Sequence, residues 1–204
     1  MTRLRIVLWV LPASLLLAGR PAAAQDQVSP HRLTLSLIPG HLALYLGDNP
    51  HFTNNRIDEF TGGATGVQAG YEYALVPYLS LGGELALAVP FATSQSADHA
   101  NFNRDRFFGD LRLVVVLRLS LPLAGGMLEL SEATKAGAAL MVLGDVFTGV
   151  GFSAFESFRG LVWLSPTFGV LLELGAGLEW TGGGEHKLWG FSLLEACLGV
   201  VWRL

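Results

Sequence analysis

Apolar and polar side chains alternate with a period of two along most of this 204-residue chain. The clearest stretch, FGDLRLVVVLRLSL, covers residues 108–121. Its odd-numbered positions from 111 onward are all leucine or valine, whereas Asp110, Arg112 and Arg118 occupy even-numbered positions. Because successive side chains of a β-strand point to opposite faces, this pattern predicts a strand with one apolar face and one charged face.

The same division recurs along the chain and predicts eight strands. They lie near residues 32–46, 63–75, 79–90, 105–119, 127–143, 157–165, 170–180 and 188–204. In the first strand the apolar set changes phase at Pro39 and Gly40, which predicts a β-bulge there. The fifth segment has a second interpretation, since residues 131–139 also suit a helix.

The predicted connections alternate in length. Longer polar segments follow the first, third, fifth and seventh strands, and shorter ones follow the second, fourth and sixth. Longer external loops and short periplasmic turns are typical of outer-membrane barrels. With an even number of strands, both chain termini are expected on the short-turn side.

The first 24 residues have the pattern of a cleaved secretory signal peptide. Arg3 and Arg5 precede an uncharged run over residues 6–19, and Ala22–Ala24 supply an A-x-A cleavage site. The run is shorter than the roughly 20 residues of a spanning helix. We therefore expect residues 1–24 to be a signal peptide and residues 25–204 to form one barrel domain.

The composition is unusual for a soluble secreted domain. Mean hydropathy is +0.45, only 15% of residues are charged, and the one cysteine, Cys197, excludes an internal disulfide. No segment after residue 24 resembles a spanning helix, so hydrophobicity is spread out as in a membrane barrel. The expected mature chain carries 10 basic and 17 acidic residues, which argues against nucleic acid as a partner.

The last residues, LGVVWRL, form an apolar strand. Gly199, Trp202 and Leu204 resemble the C-terminal assembly signal of bacterial outer-membrane proteins, although that signal usually ends on phenylalanine. The chain from about residue 32 onward resembles small eight-stranded outer-membrane barrels of the OmpA/OmpW-like type. The resemblance implies an all-β, antiparallel up-and-down transmembrane β-barrel in a Gram-negative outer membrane. It also implies contact with outer-membrane lipid and lipopolysaccharide, insertion by the barrel-assembly machinery, and a monomer or small homo-oligomer.

In such a barrel the charged faces line the lumen and the apolar faces meet lipid. Ten charged residues are predicted to form a luminal network: Glu72, Glu84, Asp110, Arg112, Arg118, Lys135, Glu173, Glu179, Glu195 and Arg203. Their mixed signs favour a filled, ion-paired interior over a narrow water-filled passage, which stays open as the alternative. Four aromatic residues on the apolar faces are candidates for the interfacial girdles: Tyr71, Tyr73, Trp180 and Trp202.

The sequence carries little sign of catalysis, so we predict a non-catalytic role: structural, narrow-pore or loop-mediated binding. A lipid A-modifying enzyme would need serine, histidine and a carboxylate together, and we expect the five histidines to be solvated loop residues. No histidine pair has ligand-like spacing and no phosphate-binding motif occurs, so no metal or cofactor is predicted. Cys197 is expected to fill space facing the lumen. A soluble lipocalin-like barrel, with its apolar face inside, is the remaining alternative.

Overall fold

The computed structural model describes residues 29–48, 57–95, 108–143, 147–183 and 186–204. Within these ranges the chain forms a closed barrel of eight antiparallel strands, each hydrogen-bonded to its neighbours in sequence. The strands are β1 (His31–Asp48), β2 (Ile57–Val76), β3 (Leu79–Gln95), β4 (Phe108–Leu123), β5 (Leu128–Leu143), β6 (Phe147–Trp163), β7 (Phe168–Gly183) and β8 (His186–Arg203). The eight-stranded up-and-down barrel predicted from the alternation is confirmed.

Pairing of the last strand with the first closes the sheet. Leu33 lies opposite Trp202 and Leu37 opposite Leu198, and the backbone N–H of Leu204 donates to the carbonyl of His31 at 3.1 Å. An apolar strand at the end of the chain is thereby paired along its length, which satisfies the backbone groups that an open edge would expose.

Two bulges interrupt the ladders on either side of this closure. The register of β1 shifts between Ile38 and His41, as the phase change in the sequence predicted. On β8, Ser192 and Leu194 lie opposite adjacent β1 residues, so Leu193 is an extra residue. Each bulge reverses the inward and outward alternation of its strand.

The two ends of the barrel differ in their connections. The end that holds the termini, here called the turn end, has tight links at Val76–Leu79, Leu123–Leu128 and Trp163–Phe168. The 3₁₀ turn at Ala124–Gly126 places Gly125 and Gly126 at φ of 68° and 90°, where glycine has no steric cost. At the opposite loop end, residues 49–56 and 96–107 separate strands, but only residues 144–146 and 184–185 separate the others. The predicted alternation of long and short connections is therefore wrong for the last two hairpins.

The largest error of boundary concerns β6, which begins at Phe147 rather than near residue 157. The expected alternation is inverted at its centre: Phe155 is buried and Glu156 is exposed. Because a charged residue faces outward and an aromatic residue faces inward, the sequence of this segment lacks the regular alternation that marks the other strands. The fifth segment is a strand and not a helix.

The barrel is apolar outside and polar inside. Along β4 the outward side chains of Leu113 and Val115 are 61% and 59% exposed, whereas Arg112 and Arg118 are 3% and 0% exposed. Among the described residues, no helix has the length and apolar character needed to cross a membrane. Monomeric soluble proteins rarely expose contiguous apolar surface on this scale, so the geometry suits a barrel surrounded by lipid.

Candidate functional site

The lumen gathers most of the buried polar side chains of the described strands. The structure places nine of the ten predicted luminal residues there, each at most 6% exposed: Glu72, Glu84, Asp110, Arg112, Arg118, Lys135, Glu173, Glu179 and Glu195. They fall into two groups at different heights along the barrel axis.

The first group, the central cluster, consists of three acids and three bases. Its members are Glu72 on β2, Glu84 on β3, Arg118 on β4, Lys135 on β5, Arg159 on β6 and Glu173 on β7. Six of the eight strands therefore contribute one charged side chain each, four to seven residues from the turn end.

Glu173 is the hub of the central cluster. It is 2% exposed, and its oxygens lie 2.5 Å from Lys135 Nζ, 2.5 Å from Arg159 Nε and 3.3 Å from Arg118 Nη2. Glu72 joins the same two guanidinium groups from the other side, accepting from Arg118 Nε at 3.0 Å and Arg159 Nη1 at 3.1 Å.

Lys135 completes the central cluster by donating to Glu84 at 2.9 Å. The three acids and three bases balance in formal charge. Buried ion pairs repay their desolvation only when geometry is good and further hydrogen bonds satisfy the groups. The multiple contacts of each member meet that condition.

Little empty space remains beside the central cluster. A cavity of about 10 Å³ lies between the two groups of charges, which is about the room that one water molecule needs. Its walls include Lys135, Glu173, Arg112, Phe155 and Cys197. This interior is packed with side chains, as expected for barrels of eight strands.

The second group, the outer cluster, lies nearer the loop end. Arg112 on β4 donates from Nη2 to Glu195 on β8 and has Nε 3.2 Å from Asp110. The guanidinium group also lies 4.6 Å from the ring centroid of Phe155. Glu179 is 5% exposed, and its Oε1 has no hydrogen-bond partner among the described residues. Arg112 thus pairs with Asp110 and Glu195, whereas Glu179 forms no ion pair within the part of the chain that the structure describes.

His41 and Ser192 complete the outer cluster. Ser192 Oγ lies 2.9 Å from His41 Nε2, and His41 Nδ1 lies 3.6 Å from Glu195 Oε2. All three residues are 5–6% exposed. The expectation that the histidines are solvated loop residues is therefore wrong for His41, because the β1 bulge turns it into the lumen.

Arg203, the tenth residue of the predicted luminal network, belongs to neither the central nor the outer cluster. It is half-buried at the turn end, with its guanidinium carbon 3.5 Å from the ring centroid of Trp163 and Nη1 donating to the Pro166 carbonyl at 3.1 Å. It forms no ion pair within the described residues, because the central cluster lies farther up the lumen. Beside it, Arg32 pairs with Glu129 at 2.7 Å.

Four ionisable luminal residues were not predicted from the sequence: Arg32, His41, Glu129 and Arg159. Ser192 was not predicted either. Arg159 lies within the predicted sixth strand, on the same face as Ser157, but Leu161 and Trp163 share that face, so it was not recognised as polar. His41 is separated from Ser192 by 151 positions, and no local spacing links them.

The aromatic residues predicted for the girdles point outward at two heights. Tyr71, Tyr73 and Trp202 lie near the turn end, where His31 Nδ1 is 2.5 Å from the Tyr71 hydroxyl. Trp180 lies near the loop end, with its ring centroid 6.4 Å from that of Trp189. Two aromatic bands therefore flank the apolar surface between them.

Two further predictions concern the position of Cys197 and the presence of a metal site. Cys197 is 2% exposed and directs Sγ toward Gln68 Oε1 at 3.4 Å. Across the described ranges, no group of three or more acidic, histidine or cysteine side chains could hold a metal ion. His51 and His99 lie outside the described residues, as does the predicted signal peptide over residues 1–24.

Gly199, Trp202 and Leu204, the predicted assembly signal, lie at the closure of the barrel. Gly199 faces Ser36 across the β1–β8 ladder, and a Cβ there would collide with Ser36. Trp202 contacts Phe168 on β7, with the ring centroids 5.9 Å apart.

Comparisons with known proteins point to one architecture. No protein-family model matches the chain, and no curated protein matches it. The solved structure of Neisserial surface protein A is similar, with a TM-score of 0.54, 8% identity, and coverage of 88% of this chain and 100% of that one. The outer membrane protein OprG from Pseudomonas aeruginosa also has a TM-score of 0.54, at 5% identity, covering 86% of this chain and 97% of that one. At such low identity the likeness shows the fold, and the chain has the eight-stranded barrel fold of small bacterial outer-membrane proteins.

Proposed function

We propose that this protein resides in the bacterial outer membrane as a barrel with a closed lumen and a structural or loop-mediated binding role. The observation that carries the proposal is the central cluster, which crosses the lumen between six strands with balanced charge. Open pores of this size need a continuous water path, and ion-paired side chains occupy that space here.

The outer surface supports the membrane location. Outward positions on β4 and β7 are leucine, valine or alanine between aromatic bands at both ends. An apolar band flanked by aromatic girdles is typical of transmembrane barrels. The lipocalin-like alternative needs the opposite arrangement, with the apolar faces inside, and the buried charges argue against it.

The membrane location implies the partners. The apolar band would contact outer-membrane lipid and lipopolysaccharide, and the C-terminal strand would present Trp202 and Leu204 to the barrel-assembly machinery. Loops at the end opposite the termini would face the exterior, because a secreted chain inserts from the periplasmic side.

Single-channel recording tests the closed lumen. Purified, folded protein in a planar lipid bilayer should show no steady conductance. Replacing one complete ion pair, Lys135→Ala with Glu84→Ala, keeps the charges balanced and widens the cavity, so small steady currents are expected. The outward substitution Glu132→Ala is the matched control and should stay silent. Steady ohmic conductance of the unmodified protein would contradict the proposal.

A further inference from the structure

Ser192, His41 and Glu195 have the arrangement of a nucleophile, its base and an orienting carboxylate. The hydroxyl lies 2.9 Å from Nε2 of the imidazole, and the other ring nitrogen lies 3.6 Å from the carboxylate. Geometry and roles, rather than sequence position, define such triads on unrelated folds.

The two bulges create this arrangement. On β8 the extra residue at Leu193 lets Ser192 and Glu195, three positions apart, both face the lumen. On β1 the bulge before His41 turns its ring inward, opposite Glu195 in the ladder. Bulges are over-represented beside active sites because they re-aim a side chain. Without the β8 bulge either Ser192 or Glu195 would face lipid, and without the β1 bulge His41 would face lipid.

The carboxylate also selects the useful tautomer of the imidazole. Glu195 lies on the Nδ1 side of the ring and can only accept, which favours the tautomer with the proton on Nδ1. Nε2 is then an acceptor, and Ser192 donates to it. Arg112, bonded to the same carboxylate, adds a fixed positive charge to the site, which favours charge developing on a nearby oxygen.

Ser192 is bordered by small residues on its own strand and on both neighbouring strands. Its ladder partners are Ala43 and Gly177, and the next inward position on β8 is Gly190. Because Ser192 faces the lumen and not the lipid, a water-borne substrate fits this site better than the acyl chains of the membrane.

We infer that the outer lumen is a hydrolytic site for small, water-soluble carboxylic esters, with Ser192 as nucleophile, His41 as base and Glu195 as positioning residue. This inference goes beyond the closed-barrel function. The central cluster that closes the lumen lies on the turn-end side of this site and takes no part in it.

The reaction balances as an acyl transfer to serine followed by hydrolysis. Ser192 Oγ bonds to the ester carbonyl carbon as its proton passes to His41 Nε2, and the carbonyl π pair moves to oxygen. Collapse breaks the ester C–O bond, and the leaving alkoxide takes the proton from His41. Water then attacks the acyl-serine by the same proton route, which releases a carboxylic acid and restores Ser192.

A serine-directed fluorophosphonate probe tests the nucleophile directly. Folded full-length protein, verified by its heat-dependent gel mobility, is incubated with the probe, and the modified residue is mapped by peptide mass spectrometry. Ser192 should be labelled, and His41→Gln should lower labelling by about 10²–10⁴-fold, as expected for loss of a general base. Ser153→Ala is the matched control, because Ser153 is also buried in the lumen but its hydroxyl has no partner.

Hydrolysis assays separate the substrate sources. p-Nitrophenyl butyrate should be cleaved, Ser192→Ala should abolish cleavage, and Glu195→Gln should lower kcat with KM unchanged. Fatty-acid release from phospholipid vesicles should be absent, and its presence would contradict a luminal substrate. Absence of Ser192 labelling in the folded protein, or equal labelling in His41→Gln, would show that the three residues are only a structural network. Either result leaves the conductance test of the closed lumen unaffected.

Discussion

Glu173→Gln should destabilise the barrel more than any single change on its outer face. Glu173 is 2% exposed and meets three cations within 3.3 Å. The isosteric amide leaves Arg118, Lys135 and Arg159 with two carboxylates, so one buried positive charge has no counter-charge. Removing one partner of a buried pair typically costs about 3–5 kcal/mol. With a urea m-value of about 2 kcal/mol/M, the unfolding midpoint should fall by about 1.5–2.5 M.

The assay is urea unfolding in phospholipid vesicles, followed by tryptophan fluorescence and by the unheated gel band. Glu132→Gln is the control, since the same substitution on the outward face breaks no luminal pair. A compensating variant, Glu173→Gln with Lys135→Met, removes one acid and one base and should recover more than half of the lost stability. A midpoint shift for Glu173→Gln no larger than that for Glu132→Gln would show that the luminal cations do not depend on this carboxylate.

Three further outcomes follow from the packing. Gly151→Ala should lower the urea midpoint clearly, because a Cβ at this position would collide with the carbonyl of Trp180. Gly40→Ala is the control and should change the midpoint little, because a Cβ at Gly40 meets open space. Equal midpoints for the two variants would show that the ladder has room at Gly151. Maleimide–polyethylene glycol should leave Cys197 unmodified in the folded barrel and react after boiling, since the thiol is 2% exposed; modification before heating would mean that the lumen admits reagents to this depth. Glu156→Leu should raise the urea midpoint, because an outward carboxylate lies within the apolar band; a fall would indicate that the bond from Thr134 to this carboxylate, 2.8 Å long, outweighs its exposure to lipid.

The fold could be predicted because its main determinant is local. An outward leucine or valine at every second position, as in β4, indicates which face of the strand meets lipid. Only a closed barrel leaves no unpaired strand edge in the hydrocarbon region. The prediction was wrong where single positions invert that rule. Phe155 lies inside, with its ring centroid 4.6 Å from the Arg112 guanidinium carbon, and Glu156 lies outside with Thr134 as its hydrogen-bond partner.

The candidate site was harder to predict because its geometry depends on long-range register. The charged residues of the central cluster could be assigned to the lumen from periodicity, but their pairing depends on which strands face each other across the barrel. His41, Ser192 and Glu195 meet only because two bulges on neighbouring strands change phase at the same height. A proline–glycine pair signals the first bulge. The second is marked only by the phase change of outward apolar residues from Trp189 and Phe191 to Leu194 and Leu198.

Cell fractionation with gel electrophoresis tests the central claim most directly, namely that the apolar outer face meets lipid around a closed polar interior. The full-length chain is expressed, and the outer membrane is extracted with detergent and run with and without boiling. The protein is expected in the outer membrane, with a gel band that changes mobility on heating. Recovery in the soluble periplasm with no change of mobility would contradict that claim, because a barrel with this exterior could not remain monomeric in water.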